Sequence, residues 1–191
     1  MSLWDESASA LLSATASVEP TPGGGSIAAI SGALGTGLVQ MAIAITGDDA
    51  LQEQAERLCV LRDDIAAAAD GDVHDFGALM AAYRLPRGDD AEREARSRAV
   101  EAATIAAAER PLALVESLRD VLTLARGLED LVKPGIRSDV LAGEDLVTGA
   151  ARAAVRTADI NIDALLRRSS TAAEELRARR DALVVGLGET L

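Results

Sequence analysis

Several short pieces of this sequence carry groups able to do chemistry. The first is Pro22-Gly23-Gly24-Gly25-Ser26. Successive glycines let a backbone approach a ligand closely. They lead into an apolar run, so free N–H groups at a helix start could hold an anion. No Gly-Lys-Ser/Thr follows, so this is not a Walker loop, and no strand precedes it, so it is not a dinucleotide fingerprint. The plainer reading is a flexible turn with Ser26 as helix N-cap. The second piece is Asp72, which falls on an apolar helical stripe one turn before Phe76. A carboxylate there is partly desolvated, which suits general acid or base work. The alternative is that Gly71 breaks the helix and Asp72 caps its second half. The third is Ser138-Asp139, at a helix start after Pro134-Gly135. It reads either as a cap or as a carboxylate aimed into a cleft.

Asn161 shares a helical face with Asp139, Gly143, Leu146, Ala150 and Thr157. Asp139 and Asn161 lie roughly 33 Å apart on a straight helix. They serve one site only if that helix breaks or if two chains meet antiparallel. Tyr83 is a ring that could stack on a flat ligand, although packing with its hydroxyl at the rim is the commoner case. His74 points away from the stripe and reads as a solvated histidine.

The sequence contains one cysteine and one histidine, so an intrachain disulfide, a thiolate zinc site and a multi-histidine metal site are all excluded. A Ser-His-Asp triad would have to use His74. The net charge of -12 repels nucleic acid and anionic membrane surfaces. An anionic ligand would therefore need a local positive feature such as the glycine-rich helix start. Residues 2–6 are acidic, with no basic stretch of the signal-peptide kind, and a cytoplasmic placement is expected.

The positioning elements are all helical. At 191 residues the length favours one domain, 1–191. Apolar residues make up 49% but aromatics only 2%, so the core is Ala, Leu, Val and Ile, which suits close-packed helices. Weak periodicity covers 3–17, and 19–26 reads as a loop. Residues 27–45 carry no charge and approach membrane-spanning length, but lack a basic flank; a central helix buried on all sides is expected. In it Gly32, Gly35 and Gly37 would admit neighbouring helices. Amphipathic spacing predicts a helix over 49–83, bent at Gly71. A charged helix follows over 89–109, and Pro111 marks the first turn of another, to about 130. Helices over 138–166 and 171–185 complete an all-α single-domain bundle of long antiparallel helices.

These pieces occur together in a recognisable order. Pro20-Thr21-Pro22-Gly23-Gly24-Gly25-Ser26 with Gly32-Ala33-Leu34-Gly35, then Asp72-x-x-x-Phe76 with Met80 through Pro86, resemble the cyclodeaminase domain of formiminotransferase-cyclodeaminase and the stand-alone methenyltetrahydrofolate cyclohydrolases. Arg110-Pro111-Leu112, Ser138-Asp139-Val140 and Ile160-Asn161-Ile162 are weaker matches. The resemblance runs over about 20–165. It implies an all-helical homodimer, a tetrahydrofolate substrate, and no metal or redox cofactor. It implies either release of ammonia from 5-formiminotetrahydrofolate with ring closure, or hydrolysis of the methenyl ring. Asp139 and Asp72 are then the candidate catalytic carboxylates. Pro22, Gly23, Gly24, Gly25, Ser26, Tyr83, Ser138 and Asn161 are the candidate substrate contacts.

This chain departs from the family pattern at Gly47-Asp48-Asp49, where lysines are frequent, and at His74, where an acid is frequent. It also carries Pro134 to Arg137 in place of an Asn-rich segment, and Thr157 in place of Asn. The missing lysines weaken the expectation of a polyglutamate tail. Asp48, Asp49 and His74 leave open a non-catalytic folate or small-ligand binder, or a related enzyme on another amidine or iminium substrate.

Overall fold

The longest uncharged run forms the helix on which the site is built. In a computed structural model that describes residues 2–185 and Leu187, it is α2, Gly24–Thr46. Gly47 ends it in the left-handed conformation, donating its N–H back to the Ile43 carbonyl. The other helices are α1 (Ala8–Thr15), α3 (Gln52–Tyr83), α4 (Asp90–Leu128), α5 (Arg137–Arg167) and α6 (Ala172–Val184). Short 3-10 turns cover Leu3–Asp5, Asp49–Leu51 and Pro134–Ile136, and no strand occurs among the described residues.

α2 packs on α3 and α5, and α4 packs on the same two from the opposite corner. Short connections make successive helices antiparallel, so this is an up-down-up-down four-helix bundle, with α6 laid over α4 and α5. The core is aliphatic, as the composition requires: Val39, Leu58, Ile65, Leu112, Leu118, Val147 and Leu165 are all fully buried.

The α2–α5 pair is held unusually close. A Cβ on Gly35 would lie 2.9 Å from the Gly143 carbonyl oxygen, and one on Gly143 would lie 2.7 Å from the Gly35 carbonyl oxygen. The two backbones therefore touch. Gly32 meets Leu118 and Ala150, as its small size suggested, but Gly37 meets nothing and faces outward. Nor is α2 buried on all sides. Leu34 is 59% exposed and Ile45 48%, with Met41 beside them on the same open face.

Two expected helices are one. α4 runs without interruption through Pro111, which is buried. Proline leaves the carbonyl four residues earlier without its helical donor. That carbonyl belongs to Ala107, and Asn161 Nδ2 on α5 donates to it at 3.0 Å. A cross-helix bond thus replaces the missing one, and the helix continues. Asn161→Ala should lower stability by about 1 kcal/mol, the cost of losing the donor to a half-buried carbonyl. A urea midpoint shift at unchanged slope is the readout, and an unmoved midpoint would refute this role.

Two further differences concern helix starts. The glycine segment is only partly loop, because Gly23 is the N-cap and Gly24 and Gly25 form the first turn of α2. α3 continues through Gly71, so Asp72 is not the cap of a second half. At the other end of the chain, the segment expected to be one weak helix is a strap followed by α1. Ser2 Oγ and Leu3 N donate to the Asp70 carboxylate at 2.5 and 2.7 Å, and Trp4 Nε1 donates to the Ala66 carbonyl at 2.9 Å. α1 itself buries no residue.

Candidate active site

Four helices converge on a cavity of about 140 Å³ beside the start of α2. Pro20, Thr21 and Gly23–Gly25 form one wall. α3 contributes Asp72, Asp75, Phe76 and Leu79; α4 contributes Ala107 and Arg110; α5 contributes Thr157 and Asn161. The glycine turn, Asp72 and Asn161, distant in sequence, are thereby brought together.

Asp72 is tied to the glycine segment directly. Its Oδ2 accepts from Ser26 N at 2.9 Å and from Ser26 Oγ at 2.7 Å. Ser26 is fully buried and is the third residue of α2, so Asp72 supplies from another helix the cap that Gly23 has no side chain to give. The expectation that Ser26 itself is the N-cap is thus replaced. Asp72 Oδ1 accepts no hydrogen bond from the described residues. Gly25 is required here, because any Cβ on it would collide with the Asp72 carboxylate. The anion site foreseen at the helix start is therefore partly filled by the protein's own carboxylate. Gly24 and Gly25 keep their N–H groups without a protein acceptor among the described residues.

Asp75 escaped the sequence reading, and Arg110 entered it only within a weaker family match, with no role assigned. Arg110 Nε donates to Asp75 Oδ2, and Asp75 is 8% exposed. The guanidinium lies flat over Gly71, where a Cβ would occupy the same space. Gly71 is thus explained by close approach. The available signal was its position one turn before Asp75, on the same helix face. Thr157 Oγ1 donates to the Ala153 carbonyl at 3.3 Å and lies next to Gly24.

Two carboxylates against one guanidinium give the cavity a net negative lining. Such a lining stabilises a cation and offers a proton acceptor. A larger open groove of about 560 Å³ lies beyond the Arg110–Asp75 pair, toward Asp64, Glu109 and Arg179. Arg179 there is held by Glu116 through two bonds of 2.8 and 2.9 Å. Burial, with the Glu129 charge behind it, pushes the Glu144 carboxyl above its usual range. Glu144 is roughly 20 Å along α5 from Thr157, so it takes no part in this cavity.

Of the expected substrate contacts, Pro22 and Ser26 are buried and do not line the cavity, and three expected site residues stand elsewhere. Tyr83 ends α3 one turn beyond Leu79 and is 42% exposed, with the Arg96 guanidinium 5.8 Å from its ring centre. Ser138 and Asp139 lie in the first turn of α5, and that helix is unbroken through Asn161. Within one chain Asp139 therefore cannot reach the cavity. His74 is exposed, as read from the sequence.

Comparison with known proteins agrees with this architecture. The chain is 32% identical over 166 residues to a methenyltetrahydrofolate cyclohydrolase of Methylorubrum extorquens, covering 83% of this chain and 78% of that protein. It superposes on the crystal structure of a formiminotetrahydrofolate cyclodeaminase of Thermotoga maritima with a TM-score of 0.71, at 21% identity, over 95% of this chain and 93% of that one. The model of the formiminotransferase-cyclodeaminase family matches residues 7–182. On that match the chain belongs to the formiminotransferase-cyclodeaminase family.

Proposed function

We propose that this enzyme acts on the one-carbon bridge of a tetrahydrofolate, with Asp72 as the reacting carboxylate. The observation that carries the reading is the negatively lined cavity around Asp72. The methenyl ring is a cation at carbon, and so is the amidinium of the formimino compound. Hydrolysis is the first reading, supported by the 32% identical relative named as a cyclohydrolase. Water adds to the methenyl carbon and gives a proton to Asp72. The bond from carbon to N5 then breaks, the carbonyl forms, and N5 takes up a proton. The net result is 10-formyltetrahydrofolate and one released proton. The second reading is ring closure with loss of ammonia, supported by the fold shared with a cyclodeaminase. There N10 attacks the amidinium carbon, and Asp72 relays the proton from N10 to the departing amine. Neither route changes the oxidation level of the carbon, so the reading invokes no redox cofactor, and Asp72 carries the proton transfer without calling on a metal.

The reading includes a homodimer that completes the site. Gly24 lies by Thr157, Gly35 by Gly143, and Thr46 accepts from Lys133 N at 3.1 Å, so α2 and α5 run antiparallel in register. A twofold axis through the middle of the open α2 face would lay the start of a second α5 along this glycine turn. That would bring the Ser138–Asp139 turn of a second copy toward Asp72, and the face offers Leu34, Met41, Ile45, Leu141 and Leu146 for burial.

The test is absorbance of the methenyl band with purified protein. Faster loss from methenyltetrahydrofolate establishes hydrolysis, and a gain from 5-formiminotetrahydrofolate establishes deamination. No change in either, from folded dimeric protein, would overturn the reading. Inactive Asp72→Asn and Asp139→Asn chains should regain activity when mixed as heterodimers. Unchanged turnover in Asp139→Asn would leave Asp139 as a helix start only, and failure of the mixed chains to regain activity would overturn the site shared between subunits.

A further inference from the structure

We infer that Asp75 and Arg110 together recognise the amide edge of the substrate's pyrimidinone ring. The inference rests on the tetrahydrofolate reading above and names the part of the ligand this pair would hold. Their ion pair uses only one atom of each group: Arg110 Nε and Asp75 Oδ2. Asp75 Oδ1 and both terminal nitrogens of Arg110 make no hydrogen bond with the described residues. Yet the Asp75 side chain is 11% exposed, and both residues line the cavity. The Arg110 side chain is 37% exposed and stays partly solvated, whereas a carboxylate so nearly buried is costly to keep with a single partner. The protein supplies no second partner among the described residues, so the cavity side of the pair is free for a ligand.

The free groups form an adjacent acceptor and donor. A 2-amino-4-oxopyrimidine presents the opposite pattern along one edge. Its amino group and ring N–H donate, and its carbonyl oxygen accepts. The carboxylate would accept from the first two while the guanidinium donates to the third, in the flat forked geometry that arginine favours. Lying over Gly71 holds the guanidinium in place before the ligand arrives. Asp72 and Asp75 are three residues apart on α3, so their Cβ atoms are about 5–6 Å apart. That separation is comparable to the width of a fused two-ring system. An edge held by Asp75 would therefore carry the far ring, with its reacting nitrogen, toward Asp72.

The test compares binding of 5-formyltetrahydrofolate and its 2-desamino-2-methyl analogue by calorimetry. The wild-type chain should bind the analogue about 10- to 100-fold more weakly, the cost of leaving a buried acceptor unpaired. Asp75→Asn should weaken binding of the amino compound and bring the ratio close to one, whereas Asp72→Asn should leave the ratio unchanged. Equal affinity of the wild-type chain for the two compounds would overturn the inference and leave the folate reading standing, with the pair purely structural. A folded Asp75→Asn chain that keeps the full discrimination would do the same. Absence of binding to both compounds by folded wild-type protein would overturn the folate reading and this inference together. Because the first comparison uses the wild-type chain, it holds even if the Asp75 variant does not fold.

Discussion

Asp72→Asn should lower kcat about 10²- to 10⁴-fold, the range attributed to a positioned acid or base. The substitution separates chemistry from structure at this position. An asparagine can turn its carbonyl oxygen toward Ser26 and keep both bonds that start α2. Its amino group then stands where Oδ1 stood. That places a donor where the reaction needs an acceptor and removes the charge that would face the cationic carbon. Affinity for substrate with a cationic one-carbon group should fall as well, while binding of 5-formyltetrahydrofolate, whose formyl group is uncharged, stays within a few-fold. Asp72→Ala is a poorer probe, because it also strips the helix start of its cap, worth about 1 kcal/mol. A folded Asp72→Asn protein with nearly unchanged kcat would make Asp72 a cap alone. Attention would then pass to Asp139.

The largest effect on stability is expected from Gly35→Val. The Cβ position is already 2.9 Å from the Gly143 carbonyl oxygen and 2.9 Å from Val147 Cγ2. One obstacle is backbone and the other belongs to a fully buried side chain, so neither can move aside cheaply. Relief requires α2 and α5 to separate along their contact. Overpacking of this kind costs about 3 kcal/mol at the upper end of the usual range. That is a large share of the 5–15 kcal/mol typical of a domain. Gly37→Val is the control on the same helix, since nothing lies near its Cβ position. Thermal melts of the two variants should diverge by many degrees, and similar melting temperatures would show that the α2–α5 contact is looser than described.

Element order was legible because each long helix carries its own periodicity and its own stop. The start of α5 and the end of α3 fall within a residue of the positions read from sequence. Pro111 misled because its local meaning is a helix start, and the donor that lets α4 continue comes from Asn161, fifty residues away in another helix. The open face of α2 was hidden for a related reason. Hydropathy reports how apolar a helix is, not whether a neighbour covers it.

At the site, the glycine turn and Asp72 were legible from residue type. Their partnership was not, since helical spacing says nothing about contacts between α2 and α3. Asp75 lies one turn before Leu79 on the buried face of α3, but nothing in the sequence names its partner. Only the arginine crossing from α4 makes it part of the cavity. The distance from Asp139 to Asn161, by contrast, followed from helix rise alone.

The docked strap decides what spectroscopy can see in this protein. Trp4 is the only tryptophan, and it sits on the strap, 42% exposed, with its indole N–H on the Ala66 carbonyl. Its fluorescence therefore reports whether the strap lies on α3, not whether the aliphatic bundle is intact. An early emission change on heating would mark the strap peeling away while far-ultraviolet circular dichroism still showed a full complement of helix.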